Sequence, residues 1–145
     1  MNNKSFRNEV NVKYQNIIKY KDIFKEGYIA GRYVKASSQD EESLDKNVIL
    51  IPNLEYTKEV EDFIDEVYNI ADKHYILTLK LARVNIKSFK PEEIDVNKLG
   101  RRTIIALLTG IVLNERYNDG LIKENIESGF IRKCLIRLSE TRARH

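Results

Sequence analysis

The sequence contains one cysteine, two prolines, two histidines and no tryptophan among its 145 residues. A single cysteine, Cys134, excludes an intrachain disulfide, and its position in an apolar pattern predicts a buried thiol in a reducing compartment. The histidines, His74 and the terminal His145, lie far apart in sequence without a cysteine cluster. We therefore predict no metal site and no cofactor.

Long apolar runs are also absent. The first ten residues, MNNKSFRNEV, lack the apolar core of a signal peptide. The longest largely apolar run, Ile104 to Leu113, is half the length of the roughly 20 residues that a membrane helix needs. These features predict a cytoplasmic protein with no membrane contact.

What the sequence does contain is ordinary for a globular protein. It is 42% hydrophobic and 32% charged, with a net charge of +3 spread along the chain. This composition predicts one folded domain over residues 1–145, with frayed termini and a mobile loop at about 36–47. The mild positive charge permits an acidic partner without requiring one.

The first half of the chain predicts a helix and a β-hairpin. Apolar residues recur at helical spacing from Asn8 to Lys25. Two short segments rich in β-branched and aromatic residues, Tyr28 to Val34 and Asn47 to Ile51, predict the two strands, and Pro52 is expected to end the second. The acidic residues of the intervening loop are irregularly spaced, so we interpret them as solvated rather than metal-binding.

A second helix is predicted from an N-cap at Thr57, through KEVEDFIDEVYNIADKHY, because its apolar residues form one stripe. We expect His74 to cap its C-terminus. Residues 76–97 fit neither the helical nor the strand period cleanly, although Pro91 is suited to begin a short helical turn.

The last third predicts a pair of core helices. Residues Lys98 to Tyr117 are almost entirely apolar beyond the first turn, with Ala106 and Gly110 forming a strip that another helix, or a second copy of the chain, can approach closely. A second helix is predicted from Leu121 to Leu138. The predicted fold is therefore α+β and mainly helical, with a small antiparallel β-hairpin packed on a C-terminal helical hairpin.

Charged residues interrupt this apolar region at Glu115, Arg116 and Glu127. Counted in helical steps, all three project toward the core side. A charge at the edge of a core needs a partner, so we predict a salt bridge from Arg116 to Glu127, with Glu115 accepting from nearby backbone N–H groups.

The same segment carries a resemblance to a known family. It reads Glu115-Arg116-Tyr117, two residues, Gly120, and then Glu127-Ser128-Gly129 before a leucine-rich helix. This order resembles a family of small, uncharacterised bacterial and phage proteins, the domain-of-unknown-function family DUF6508. Weaker points of similarity lie upstream at Gly31, Pro52 and Phe63-Ile64.

The chain departs from this family at one position. The family often carries an arginine where this chain has Leu113, so a site built on two arginines would be incomplete here. The family has no established activity, and the resemblance therefore implies a fold and no specific function.

Three functional hypotheses follow. The favoured one is a noncatalytic binding or regulatory protein that uses the hairpin and the exposed face of the last helix, with a protein or a second copy of the chain as partner. The second is nucleic-acid binding by a basic C-terminal helix, helped by Arg101 and Arg102. Its candidate contacts are Arg132, Lys133, Arg137, Arg142 and Arg144.

The third hypothesis is a small enzyme. Its pocket would contain Glu115, Arg116, Tyr117 and Glu127, with an acid as proton acceptor and the arginine binding an anionic group. We prefer the structural interpretation of this cluster, because two carboxylates and an arginine can satisfy one another without a substrate.

Overall fold

The fold is seen in a computed structural model that describes residues 14–34, 53–85 and 90–141. It is an α+β fold and mainly helical, as predicted. Residues 14–18 are helical and continue into a 3-10 turn at Lys19–Asp22. The strands are β1 (Gly31–Val34) and β2 (Asn53–Tyr56). The helices are α1 (Lys58–Ile70), α2 (Tyr75–Leu81), α3 (Arg101–Asn114), α4 (Leu121–Glu127) and α5 (Phe130–Glu140), with 3-10 turns at Pro91–Glu93 and Val96–Lys98.

Helix α3 is the centre of the core, as its sequence predicted. Each of its residues from Ile104 to Val112 is buried. Helices α1, α2, α4 and α5 all pack against it. Ala106 and Gly110 are among the buried residues, so the chain itself covers the small-residue strip.

Aromatic residues attach the N-terminal segment to this core. The ring of Phe24 lies edge-on to that of Phe63 from α1, with centroids 5.2 Å apart. Tyr20 makes a similar contact with Phe63 at 5.4 Å. Edge-to-face pairs of this kind add to the free energy gained from burying the rings.

Helix α1 begins as predicted and ends earlier. The hydroxyl oxygen of Thr57 accepts a hydrogen bond from the Val60 N–H at 3.3 Å, which is the expected N-cap contact. The helix stops at Ile70, however, and His74 immediately precedes α2. The prediction that His74 caps the C-terminus of α1 is therefore wrong.

The turn between α1 and α2 is formed by Asp72. Its carboxylate accepts hydrogen bonds from the His74 N–H at 2.8 Å and from the Thr78 hydroxyl at 2.7 Å. Burial alone would raise the pKa of this carboxyl, but these bonds and the nearby Arg102 outweigh it and hold the pKa of Asp72 below its ordinary value. A short polar side chain thus organises the turn that leads into α2, a feature that helical periodicity does not reveal.

The β-hairpin is present with a different second strand. Strand β1 pairs antiparallel with β2, and Gly31 lies opposite Tyr56. The strand Asn53–Tyr56 comes directly after Pro52, which lies outside the described residues, so the expectation that Pro52 ends a strand stays a prediction. Residues 47–51, predicted as that strand, and the loop at 36–47 lie outside the described residues.

The last predicted helix is divided into α4 and α5. Gly129 has φ of +88°, a left-handed conformation that interrupts the helix between Glu127 and Phe130. The face predicted to be inward is nevertheless confirmed. Its members are all buried: Ile122, Ile126, Phe130, Ile131, Cys134, Leu135 and Leu138.

Within the described ranges, no helix is both long enough and apolar enough to cross a membrane. Cys134 is a free thiol and is completely buried. This confirms the prediction of a buried cysteine, and burial raises the pKa of the thiol.

Candidate functional site

The carboxylate of Glu115 lies at the turn between α3 and α4, where it accepts three hydrogen bonds. The N–H groups of Gly120 and Ile122 donate to it at 2.7 and 2.8 Å. The Tyr56 hydroxyl donates to it at 2.8 Å. Because the N-cap residue Gly120 has no side chain, Glu115 supplies the acceptor that the first turn of α4 lacks. The expectation that Glu115 accepts from backbone N–H groups is confirmed.

Tyr56 extends this hydrogen-bond network to the β-hairpin. Its hydroxyl oxygen also accepts a hydrogen bond from the Lys123 N–H at 3.2 Å. Burial, together with the hydrogen bond and the negative charge of Glu115, raises the pKa of Tyr56. The phenol therefore stays protonated and remains a donor to Glu115 at neutral pH.

The second acid, Glu127, connects α4 to the residue before β1. Its Oε2 accepts from the Ala30 N–H at 3.0 Å, and its Oε1 accepts from the Lys123 ammonium at 2.7 Å. Lys123 lies one helical turn before Glu127, which is the favourable i, i+4 spacing for an ion pair. Glu127 is thus paired within its own helix.

Arg116 does not take part in this network. It is exposed, and its guanidinium lies 5.7 Å from the centre of the Tyr117 ring, which is itself 81% exposed. The predicted salt bridge from Arg116 to Glu127 is therefore wrong. The helical count that placed Arg116 on the core side fails because α3 ends at Asn114 and the chain turns at Glu115.

The resemblance motif has a structural explanation in these contacts. Glu115 caps α4, and Gly120 adopts φ of +90° at the N-cap position. Glu127 holds the chain before β1, and Gly129 allows the break before α5. Both carboxylates accept hydrogen bonds from donors of the protein itself.

Within residues 14–34, 53–85 and 90–141, no three His, Cys, Asp or Glu side chains form a group that could hold a metal ion.

The basic C-terminal residues are partly engaged in the fold. Arg132 Nε donates to the Lys21 carbonyl and Arg137 Nε to the Leu99 carbonyl, each at 2.9 Å. Lys133 is exposed, and Arg142 and Arg144 lie outside the described residues. Arg101 lies over the Tyr14 ring at 4.7 Å, and Arg102 is 3.9 Å from Asp72. The structure therefore gives several of these arginines intramolecular partners.

Three of the concave surfaces on the described residues lie near these elements, and the smallest, of about 300 Å³, is lined in part by Glu127, Arg132 and Lys133. The other two are larger. One, of about 400 Å³, lies beside the Glu115 turn and is lined mostly by apolar residues: Ile64, Tyr68, Val112, Leu113, Glu115, Arg116 and Ile122. The other, of about 490 Å³, lies along α2 and is named the α2 groove here. It is lined by Tyr75, Ile76, Leu79, Lys80, Arg83, Val84, Asn85 and Asn114.

The α2 groove is accompanied by large exposed apolar side chains. Ile76 is 63% exposed, Leu77 is 55% exposed and Leu81 is 77% exposed, all on a helix of seven residues. The sequence-based prediction missed this surface because residues 76–97 showed no clean period. The available signal was a segment, residues 73–85, that combines apolar residues with Lys and Arg and contains no acid.

The fold and these contacts define a small α+β protein in which Glu115 and Glu127 connect the C-terminal helices to the β-hairpin. In a comparison with known protein families, the family of unknown function DUF6508 matches residues 15–144. The chain belongs to this family. No curated protein and no solved structure is significantly similar to the chain.

Proposed function

We propose that the protein is a noncatalytic binding module and that the α2 groove, with the neighbouring Leu77 and Leu81, is its binding surface. A single domain over residues 1–145 and a cytoplasmic location are parts of this proposal. The location is supported by a sole cysteine that is a free, buried thiol.

The observation that carries the proposal is the exposure of Ile76, Leu77 and Leu81 beside a groove of about 490 Å³. Leaving three large apolar side chains of one short helix in water is unfavourable unless a partner covers them. The volume also falls within the range of about 300–1,000 Å³ typical of binding clefts.

The contacts of the charged residues favour this function over the alternatives. An enzyme built on Glu115 and Glu127 would need a free carboxylate, whereas both accept hydrogen bonds from the protein. Of the candidate nucleic-acid contacts, Arg132 and Arg137 each use one guanidinium N–H to bind a backbone carbonyl, which gives these basic residues a role within the fold.

Site-specific photocrosslinking tests the proposal. Leu81 is replaced by p-benzoylphenylalanine in the full chain, and the protein is irradiated in lysate of the source cells. We expect a discrete crosslinked species, identified by mass spectrometry, because a partner covering the α2 groove would contact this side chain.

The matched control places the same photoreactive residue at Ile29. This position is 53% exposed and lies before β1, outside α2. Crosslinking to the same species from both positions, or no discrete species from Leu81, would contradict the proposal.

A further inference from the structure

We infer that the α2 groove binds an acidic amphipathic helix of a partner protein, an inference that rests on the proposed function. The partner helix would place apolar side chains in the groove and carboxylates against its basic rim. Recognition of an amphipathic helix by an apolar groove is a common mode of peptide binding.

The size of the surface suits a short helical segment. Helix α2 has seven residues, which corresponds to a length of roughly 10 Å. Its exposed side chains form two pairs spaced four residues apart, Ile76 with Lys80 and Leu77 with Leu81. Such a surface matches about two turns of a partner helix with anchors at i, i+4 and i+7.

The positive charge around the groove favours a negatively charged partner. Lys80 and Arg83 line the groove, Lys73 precedes α2, and residues 73–85 contain no Asp or Glu. No ion pair joins Lys80 or Arg83 to another residue in the part of the chain that the structure describes. Unpaired positive charge beside exposed apolar surface is complementary to a carboxylate-bearing, partly apolar ligand.

The backbone at Arg83 is a second sign of a specific role. Arg83 has φ of +61°, the sole positive value at a non-glycine position in the described ranges. It terminates α2 in a left-handed cap, in which the Val84 N–H donates to the Leu79 carbonyl at 2.8 Å. Glycine is the residue that usually occupies such a cap. An arginine there costs stability, which is consistent with a function for its side chain.

Two other occupants fit the surface less well. A membrane would contact a projecting apolar face, whereas Ile76, Lys80 and Arg83 line a concave groove beside a helix of only seven residues. A second copy could offer the acidic outer face of α1, but Tyr68 is the one large apolar side chain that α1 exposes. Neither supplies both apolar anchors and carboxylates.

Fluorescence anisotropy with designed peptides tests the inference. The probes are labelled 16-residue amphipathic helices with leucine anchors at i, i+4 and i+7, in an acidic version with Glu and a basic version with Lys, each added to the full-length protein. We expect the acidic peptide to bind at least about tenfold more tightly than the basic one, with affinity falling as salt rises.

Charge variants test whether Lys80 and Arg83, the basic residues that line the groove, bind the acidic peptide. Lys80→Glu combined with Arg83→Glu should weaken the acidic peptide by about tenfold or more, while Lys133→Glu on α5 should leave it unchanged. Arg83→Gly separates folding from binding. Glycine relieves the left-handed strain, so the melting temperature should stay equal or rise while acidic-peptide binding falls.

Each other outcome would overturn the inference. These are equal binding of both peptides, binding of neither, binding to vesicles with anionic lipid but not to the peptide, and self-association in sedimentation velocity that Leu81→Glu abolishes. A crosslink at Leu81 without peptide discrimination would leave the binding module standing and remove only the acidic helix as its partner. Absence of the crosslink and of all peptide binding would remove both.

Discussion

At the level of single residues, Glu115 is the side chain that links the helical turn, α4 and the β-hairpin. One carboxylate accepts from two backbone N–H groups and from the Tyr56 hydroxyl. Hydrogen bonds to charged groups stabilise a fold by about 1.5–3 kcal/mol each, and donors left buried without a partner are costly. Its neighbour Arg116 is exposed and touches only the ring of Tyr117 among the contacts described.

We therefore predict opposite outcomes for two adjacent substitutions. Glu115→Ala should lower the free energy of unfolding by about 3 kcal/mol, because three donors lose their acceptor. Arg116→Ala should change it by less than about 0.5 kcal/mol. Urea unfolding followed by circular dichroism measures both, and similar losses in the two variants would show that the turn is held in another way.

At the level of elements, the break between α4 and α5 depends on the backbone of Gly129. Its φ of +88° is accessible to glycine and strained for other residues. Without this break, the apolar face would continue as a single helix, as its periodicity alone suggests.

Substitution of two glycines tests this explanation. Gly129→Ala should lower the free energy of unfolding by about 1 kcal/mol, because alanine is strained at positive φ. Gly100→Ala is the control: its φ is −84° and no atom lies within 4 Å of an added Cβ, so a change within about 0.5 kcal/mol is expected. Thermal unfolding measures both, and equal losses would argue against backbone strain at Gly129.

At the level of the whole molecule, the C-terminal helix is bound to distant parts of the chain through arginine side chains. Arg132 reaches Lys21 across 111 positions of sequence, and Arg137 reaches Leu99. These contacts connect α5 to the N-terminal 3-10 turn and to the segment before α3. They give a structural reason for basic residues that the sequence also allows as phosphate contacts.

A comparison along one helix separates the two roles. Arg132→Ala and Arg137→Ala should each lower the free energy of unfolding by about 1–2 kcal/mol, since a carbonyl loses its charged donor. Lys133→Ala, at an exposed position between them, should change it by less than about 0.5 kcal/mol. Should filter binding instead reveal salt-dependent nucleic-acid affinity that all three substitutions reduce, the basic helix would be a phosphate-binding surface.

Much of the fold could be predicted from sequence because it depends on local periodicity. The Thr57 cap, the buried run of α3 and the inward face from Ile122 to Leu138 all follow from residues three or four positions apart. The pairing of Glu127 could not be predicted in this way. It depends on a contact with Ala30, 97 positions away, and on which of two nearby bases, Arg116 or Lys123, faces it.

The sequence by itself thus determined the fold class, the central helix, the buried thiol and the role of Glu115 as an acceptor of backbone hydrogen bonds. Tertiary structure alone decided the strand after Pro52, the break at Gly129, the orientation of Arg116 and the exposure of α2. The physical reason is the range of the interactions. Side chains within one helix share a fixed geometry, whereas turns and long-range contacts are set by how the finished elements pack.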